Sequence, residues 1–180
     1  MTEVWLRPNR RVLCLGMILP GIFLVIGLVH LWGVWSGARW GSPLVGWVLS
    51  IAGGVLFAML VSHALRPRLA YQDGRLLVYL RSDGPIAVPI ESIECCFLAA
   101  GAGQIPSATH KDVPLRNLVL RVSERATDFQ NCEVKAALGR WEDGYITIHG
   151  AWCEPLTLAV AQRINARLAE VHQEQQLQAK

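Results

Sequence analysis

The sequence predicts an α-helical membrane hairpin of two transmembrane helices joined to an α+β soluble domain. Residues 12–38 and 40–65 carry no formal charge and are separated only by Arg39. About 20 apolar residues, at a rise of 1.5 Å each, cross a hydrocarbon core of roughly 30 Å. After Arg66 the apolar residues recur instead with the period of two that is typical of β-strands. The first pattern predicts the hairpin, and the second predicts a sheet.

These patterns divide the chain into four segments that differ in charge and periodicity. A chain of 180 residues has room for two spans and one soluble core. The predicted segments are a basic N-terminal flank (residues 1–11), the transmembrane hairpin (12–65, with spans at about 12–35 and 44–65), the soluble domain (66–172) and a Gln-rich tail that is expected to fray (173–180).

Basic residues indicate which side of the membrane the two termini occupy. They flank the spans at Arg7, Arg10, Arg11, Arg66 and Arg68. The connecting loop has Arg39 alone, and cytoplasmic loops are the ones enriched in Lys and Arg. The first apolar run is also longer than the core of a cleaved signal peptide, so we expect it to be retained. The expected location is the inner (plasma) membrane, multi-pass, with the N- and C-termini cytoplasmic.

The cysteines favour the same compartment for the soluble domain. There are five of them, an odd number, and Cys14 lies inside the first apolar run. This is not the pattern of a disulfide framework. Unpaired thiols at this density indicate a reducing environment, which is the cytoplasm.

Aromatic and basic residues mark the two predicted membrane interfaces. Residues 36–43 form a short, turn-rich loop, so the two helices are expected to run antiparallel. Indole rings prefer the headgroup level of a bilayer. The residues expected at the outer interface are Trp32, Trp35, Trp40 and Trp47, and those at the inner interface are Arg10, Arg11, Arg66 and Arg68. Trp5 is a further candidate for the inner interface.

Small side chains recur every four residues on the second span. They are Ser50, Gly54, Ala58 and Ser62. Such a stripe allows another helix to approach closely. It predicts packing against the first helix of the same chain, where Gly16, Pro20, Gly21 and Gly27 form a plausible acceptor, with homodimerisation as the alternative.

The soluble part contains at least six predicted short strands. An Asp73-Gly74 turn joins the first two, and an Asp143-Gly144 turn precedes the last. Asp-Gly between alternating residues is a strong β-hairpin signal. The predicted strands span residues 69–72, 75–80, 86–90, 93–98, 116–123 and 145–149. Residues 99–114 are expected to form a long loop, and 124–139 either a short helix or a ragged hairpin.

An amphipathic helix is predicted to end the soluble domain. Pro155 suits a first helical turn. The apolar stripe after it consists of Leu156, Val160, Ile164, Leu168 and Val171. This spacing fits one face of a helix that covers the sheet.

The order of these elements resembles the bacterial two-pass membrane proteins with a pleckstrin-homology-like cytoplasmic domain. The similar features are the two spans, the basic linker, the Leu-Leu-Val-Tyr-Leu strand at residues 76–80, the strand entering residues 88–94 and the terminal helix. The resemblance implies a PH-like antiparallel β barrel or sandwich with a C-terminal capping helix, used for binding or assembly. Lipid-binding members carry several basic residues at the first hairpin, whereas here Asp73-Gly74 is followed by Arg75 alone. Specific binding of a phosphoinositide-type headgroup is therefore not expected.

Catalytic and metal signatures are weak in this chain. Residues 101–106 begin like a dinucleotide-binding turn, but Pro106 replaces the third glycine and no helical pattern follows. The cysteines and histidines lack the usual metal-ligand spacings. One nucleophile hypothesis is Cys153 with His149 beside a helix N-terminus, which would lower the pKa of the thiol. We predict no cofactor and no metal.

The predicted function is a non-enzymatic binding or assembly module held at the cytoplasmic membrane face. Its expected partners are the lipid bilayer and a protein, either another chain or a second copy. From Arg66 onward basic and acidic residues are equal in number, which argues against nucleic acid as a partner. The alternative is a membrane-bound thiol- or metal-dependent enzyme that uses Cys153 and His149.

Overall fold

The computed structural model describes residues 2–37, 42–104 and 114–178, and these residues form two separate units. The helical unit is Asn9–Arg66, and the sheet unit combines Met1–Pro8 with Pro67–Lys180. The elements in chain order are β1 (Glu3–Leu6), α1 (Arg10–Trp35), α2 (Pro43–Leu65), β2 (Leu69–Gln72), β3 (Arg75–Val78), β4 (Ile86–Pro89), β5 (Ile93–Gln104), β6 (Pro114–Val122), β7 (Gly139–Glu142), β8 (Tyr145–Ile148) and α3 (Leu158–Gln178).

Both helices of the helical unit are long and apolar enough to cross a membrane. Their starts are capped: Asn9 Oδ1 accepts a hydrogen bond from Val12 N at 3.4 Å, and Ser42 Oγ accepts one from Leu44 N at 3.3 Å. Large apolar side chains such as Leu15, Val25 and Val55 are exposed along both helices. Neither helix has the polar face that a water-exposed helix requires.

Glycines and one serine make the contact between α1 and α2. A Cβ atom added to Gly27 would lie 2.6 Å from Ser50 N, and one added to Gly53 would lie 2.7 Å from Leu24 N. Gly46 meets the Leu31 side chain in the same way. The close face of α2 is therefore Gly46, Ser50 and Gly53, spaced four and three residues apart as one helical face requires.

The predicted stripe on α2 overlaps this face only at its start. Ser50 is buried against α1, but Ala58 and Ser62 are exposed, and Gly54 has only ordinary contacts. The period of 3.6 explains the difference, because an exact repeat of four drifts around the helix. On α1, Gly27 makes the closest approach, whereas Gly16 and Gly21 have ordinary contacts.

The first sheet of the sheet unit has the order β1-β2-β3-β4, and all its pairs are antiparallel. The turn at Asp73-Gly74 confirms the predicted hairpin, with φ of 48° and 76°. Both residues have positive φ, as a type I′ turn requires.

The second sheet has the order β5-β6-β8-β7 and is also antiparallel. All six predicted strands are present, with small changes of boundary. The core between the elements contains residues such as Leu76, Leu118 and Ile146 from the sheets and Ile164 and Leu168 from α3. The two antiparallel sheets and the C-terminal helix agree with the predicted α+β class.

The N-terminal strand β1 was absent from the sequence prediction. Residues 1–11 were interpreted as a basic flank, whereas Val4 pairs with Ala70 of β2 across the whole intervening hairpin. Trp5 is not at a membrane interface: it is 4% exposed, and its ring stacks on Tyr71 with centroids 5.6 Å apart. The sheet unit is therefore built from two stretches of chain on either side of α1 and α2.

Three other boundaries differ from the prediction. The expected loop at residues 99–114 is partly strand, because β5 continues to Gln104 and β6 begins at Pro114; residues 105–113 lie outside the described part. Residues 124–139 contain only a short 3-10 turn, Thr127–Phe129. The last helix runs through Gln178, beyond the predicted end at residue 172.

Candidate binding site

The predicted nucleophile pair does not have the expected geometry. Cys153 is fully buried, and its Sγ donates to the backbone oxygen of His149 at 3.5 Å, not to the imidazole. The ring of His149 has Nδ1 3.4 Å from Ala137 O. α3 begins only at Leu158, so Cys153 is not at its N-terminus.

The electrostatics of Cys153 also oppose nucleophilic activation. Burial raises the pKa of its thiol to about 12, and the nearby Arg68 offsets this only in part. A reactive cysteine needs a low pKa and access to solvent. The prediction of a lowered pKa at this residue is wrong.

Burial also raises the thiol pKa of two other cysteines in the sheet unit. The pKa of Cys96 is raised to about 11, and the pKa of Cys132 is raised as well. Cys95 and Cys96 point to opposite faces of β5, as adjacent strand residues do, and only Cys96 is buried. Within residues 2–37, 42–104 and 114–178, no group of three or more His, Cys, Asp or Glu side chains is placed to hold a metal ion.

Most of the predicted interface residues are exposed. Trp32, Trp35 and Trp47 project from the loop end of the helical unit, and Trp40 lies outside the described residues. Arg10, Arg11 and Arg66 are also exposed.

Arg68 is the exception among the predicted interface residues. It is 2% exposed, and its Nε donates to Trp152 O at 3.2 Å. Burial lowers the pKa of this guanidinium from its usual value. Arg68 therefore joins the start of β2 to the segment before α3, and it does not face lipid headgroups.

One edge of the second sheet lies beside α3 and is only partly covered. β5 is an edge strand, because its one sheet neighbour is β6. Asn165 of α3 covers it at a single residue: Asn165 Oδ1 accepts from Cys96 N at 2.8 Å, and Asn165 Nδ2 donates to Cys96 O at 2.7 Å. The side-chain amide thus takes the place of one peptide unit of a neighbouring strand.

The next outward-facing residues of β5 are open. Hydrogen-bonding groups alternate along an antiparallel strand, so Cys96, Leu98 and Ala100 direct their N–H and C=O groups away from β6. The β5–β6 register is regular from Cys96 to Ala100. Among the described residues, Leu98 and Ala100 have no hydrogen-bond partner on this edge.

A groove of about 530 Å³ lies along this open edge. Its walls come from β5, from the neighbouring residue of β6 and from one face of α3. The lining residues are Cys96, Phe97, Leu98, Ala99, Ala100, Arg116, Leu158, Ala161, Gln162 and Asn165. We call this the β5–α3 groove.

The groove carries one positive charge. Arg116 pairs in register with Ala100, so the two side chains lie on the same face of the sheet. Arg116 is exposed and forms no ion pair within the described chain, whereas Arg121 on the same strand lies 3.1 Å from Glu94. Among the described lining residues, Arg116 is the only charged one.

Sequence reasoning singled out none of these groove residues. One signal was present, since Asn165 adjoins Ile164 on the inward stripe of an amphipathic helix. A polar residue there needs a buried partner. Its partner, the backbone of Cys96, depends on tertiary packing that the pattern does not contain.

Comparison with known proteins identifies no relative. No protein family, curated protein or solved structure matches this chain.

Proposed function

We propose that the chain is a two-pass inner-membrane protein whose sheet unit is a non-enzymatic binding or assembly module at the cytoplasmic face. The observation that carries this proposal is the pairing of β1 with β2. β1 precedes the two apolar helices and β2 follows them, so both ends of the hairpin enter one folded unit. That connection requires two crossings, or none, and the exposed apolar helices favour two.

The charge pattern and the thiols support the cytoplasmic orientation. Arg7, Arg10, Arg11 and Arg66 lie at the ends of the hairpin that join the sheet unit. The five cysteines are free. Arg68 is buried in the sheet unit, but the four other arginines at these ends still outnumber Arg39 of the loop.

A pleckstrin-homology-like architecture belongs to the same proposal. The resemblance implies an antiparallel β barrel or sandwich with a C-terminal capping helix, and the two antiparallel sheets followed by one long helix support it. β1 adds a strand to this architecture. It precedes the two apolar helices in the sequence, whereas the other strands of the first sheet follow them. A binding role suits a unit in which Cys96 and Cys153 are buried and whose open features are a strand edge and a groove.

Two measurements test the proposal in intact cells. Reporter fusions within the loop and at the C-terminus should place the loop outside and the C-terminus inside. An external C-terminus would overturn the orientation.

The binding role is tested by placing a photo-crosslinking amino acid at exposed positions spread over the sheet unit: Arg75, Glu91, Arg140 and Gln162. We expect a discrete adduct at one surface, competed away by unlabelled full-length chain. The absence of an adduct at every position would contradict a binding function.

A further inference from the structure

We propose that the β5–α3 groove receives an extended segment of a partner protein, which adds as a strand beside Leu98–Ala100 and presents a carboxylate to Arg116. This inference rests on the proposed binding function and specifies its surface and the chemistry of its partner.

The open edge specifies an extended backbone. Leu98 and Ala100 offer an alternating series of N–H and C=O groups, and only another strand matches that series. Natural proteins protect such edges with charges, prolines or covering elements. Phe97, Leu98, Ala99 and Ala100 contain no charge and no proline.

Each of the other three sheet edges carries a feature that interferes with strand addition. On β1, Arg163 Nη2 donates to Trp5 O at 3.2 Å. β4 ends at Pro89, which has no N–H. On β7, Gly139 N donates to Lys135 O at 3.1 Å. The stretch from Leu98 to Ala100 has neither a proline nor, among the described residues, a hydrogen-bond partner on its outward side.

The groove extends from Asn165 along β5 and the preceding turns of α3. One helical turn advances about 5.4 Å, and two strand residues advance about 6.6 Å. Gln162 and Leu158, one and two turns before Asn165, thus run alongside Leu98 and Ala100, and all four residues line the groove. An added strand would continue from the amide of Asn165, with Leu158 packing on its apolar side chains and Gln162 available to its polar ones.

Charge selects the class of partner. Arg116 lies beside Ala100, and the N-terminus of α3, where Thr157 Oγ1 accepts from Val160 N, adds positive potential at the same end. A guanidinium binds a carboxylate with two parallel hydrogen bonds. A second copy that paired through its own β5 would offer Arg116 no carboxylate from Cys96–Ala100, so an acidic segment of another protein is the favoured occupant.

The test uses the full chain in nanodiscs and a pair of short, capped peptides of alternating threonine and valine. One peptide has a central glutamate, and the other has glutamine at that position. By fluorescence anisotropy the glutamate peptide should bind about tenfold more tightly, as expected for a charge-assisted hydrogen bond. Arg116→Gln should abolish this preference, and Arg140→Gln, a change on β7, should retain it.

A second pair of variants tests strand addition itself. Ala100→Pro removes the outward N–H and should weaken binding of both peptides at least tenfold. Ala100→Val keeps the N–H and should bind as the native chain does. Circular dichroism of each variant checks that the sheets are intact.

Three results would overturn the inference. They are equal affinity for the two peptides, binding by Ala100→Pro as tight as by Ala100→Val, and no saturable binding of either peptide. A dimer that Ala100→Pro dissociates, measured by light scattering, would assign the edge to a second copy instead. Photo-crosslinks at Arg75 or Glu91 without peptide binding would refute the groove while leaving the proposed function intact.

Discussion

α3 contacts one edge strand of each sheet, and the two contacts differ in strength. Towards β1 it uses two arginines. Arg163 donates to the Trp5 backbone oxygen, and Arg167 forms a bidentate pair with Glu3, in which Nε donates to Oε1 and Nη2 to Oε2, each at 3.0 Å. Towards β5 it uses the single amide of Asn165. On the β1 side α3 therefore bonds a backbone oxygen and a carboxylate, whereas on the β5 side it bonds the peptide groups of Cys96 and leaves those of Leu98 and Ala100 available.

Loss of the β1 contact should have the largest effect on stability. Trp5→Ala removes a buried ring that stacks on Tyr71 and should cost about 3–5 kcal/mol of unfolding free energy. Trp5→Phe should cost much less, because the indole Nε1 has no hydrogen-bond partner among the described residues. Trp35→Ala is the matched control, since Trp35 is 96% exposed. Denaturant unfolding of the full chain measures all three, and equal values for Trp5→Ala and Trp35→Ala would contradict a structural role for β1.

Alkaline pH should destabilise the sheet unit through thiols on both sides of α3. Burial raises the pKa of the Cys96 thiol to about 11 and that of the Cys153 thiol to about 12, from an ordinary value of 9.0. Raised values mean that the stabilisation is fully present below pH 9 and is lost as the pH rises towards the folded values. Each thiol should remove about 1.4 kcal/mol per pH unit in this window.

The matched variants are Cys96→Ala and Cys153→Ala, each of which should flatten its share of the pH dependence. Iodoacetamide labelling at neutral pH compares the accessibility of the two thiols. Cys96, on the open edge strand β5, should react faster than Cys153. The reverse order would show that the β5 side is the better protected one.

Removal of the β5 contact should have an intermediate effect. Asn165→Ala leaves the N–H and C=O of Cys96 unpaired and should cost about 1–2 kcal/mol. Gln162→Ala, one turn earlier on the exposed surface, should change stability by less than about 0.5 kcal/mol. Hydrogen exchange at the Cys96 amide should accelerate in the first variant alone, and unchanged exchange would remove Asn165 from this role.

The ion pair on the β1 side should contribute least. Glu3→Gln removes the pair with Arg167, whose pKa is raised mainly by its hydrogen bond to Glu3. Both side chains are partly exposed, so the expected cost is below about 1 kcal/mol. Glu142→Gln, which removes an exposed pair with Arg140, is the control and should have no measurable effect. A cost for Glu3→Gln close to that of Trp5→Ala would mean that the arginines and not the buried ring hold β1.

The sequence was most informative where structure is local. Uncharged length is sufficient to predict α1 and α2, and the Asp73-Gly74 turn predicts the β2–β3 hairpin because positive φ at both positions is a local requirement. The Asp143-Gly144 turn predicts the start of β8, but its partner β7 was absent from the predicted strands. β1 has only four residues, and its partner β2 lies beyond two helices, so no short-range pattern reveals the pair. Arg68 was misassigned for a related reason: a charge count cannot tell a buried arginine from one at a membrane surface.

The candidate site could not be predicted, because it depends on β5 having no second neighbouring strand in its sheet. A sequence indicates that a strand exists, but the number of its neighbours depends on the topology of the whole unit. Cys153 and His149 are reactive residue types that lie close together in the sequence, and this proximity led to the hypothesis of a nucleophile. Packing buries the first and directs its thiol to a backbone oxygen.

The pairing of β1 with β2 also imposes an order on biosynthesis. The strand that is made first must wait, with Trp5 and Leu6 uncovered, until both apolar helices and β2 have left the ribosome. In the proposed two-pass topology, a chain with only one helix inserted would hold the two strands on opposite sides of the bilayer, and its first sheet could not form. Folding of the sheet unit would then be conditional on complete insertion, and a protease that degrades unfolded chains would remove the misinserted ones.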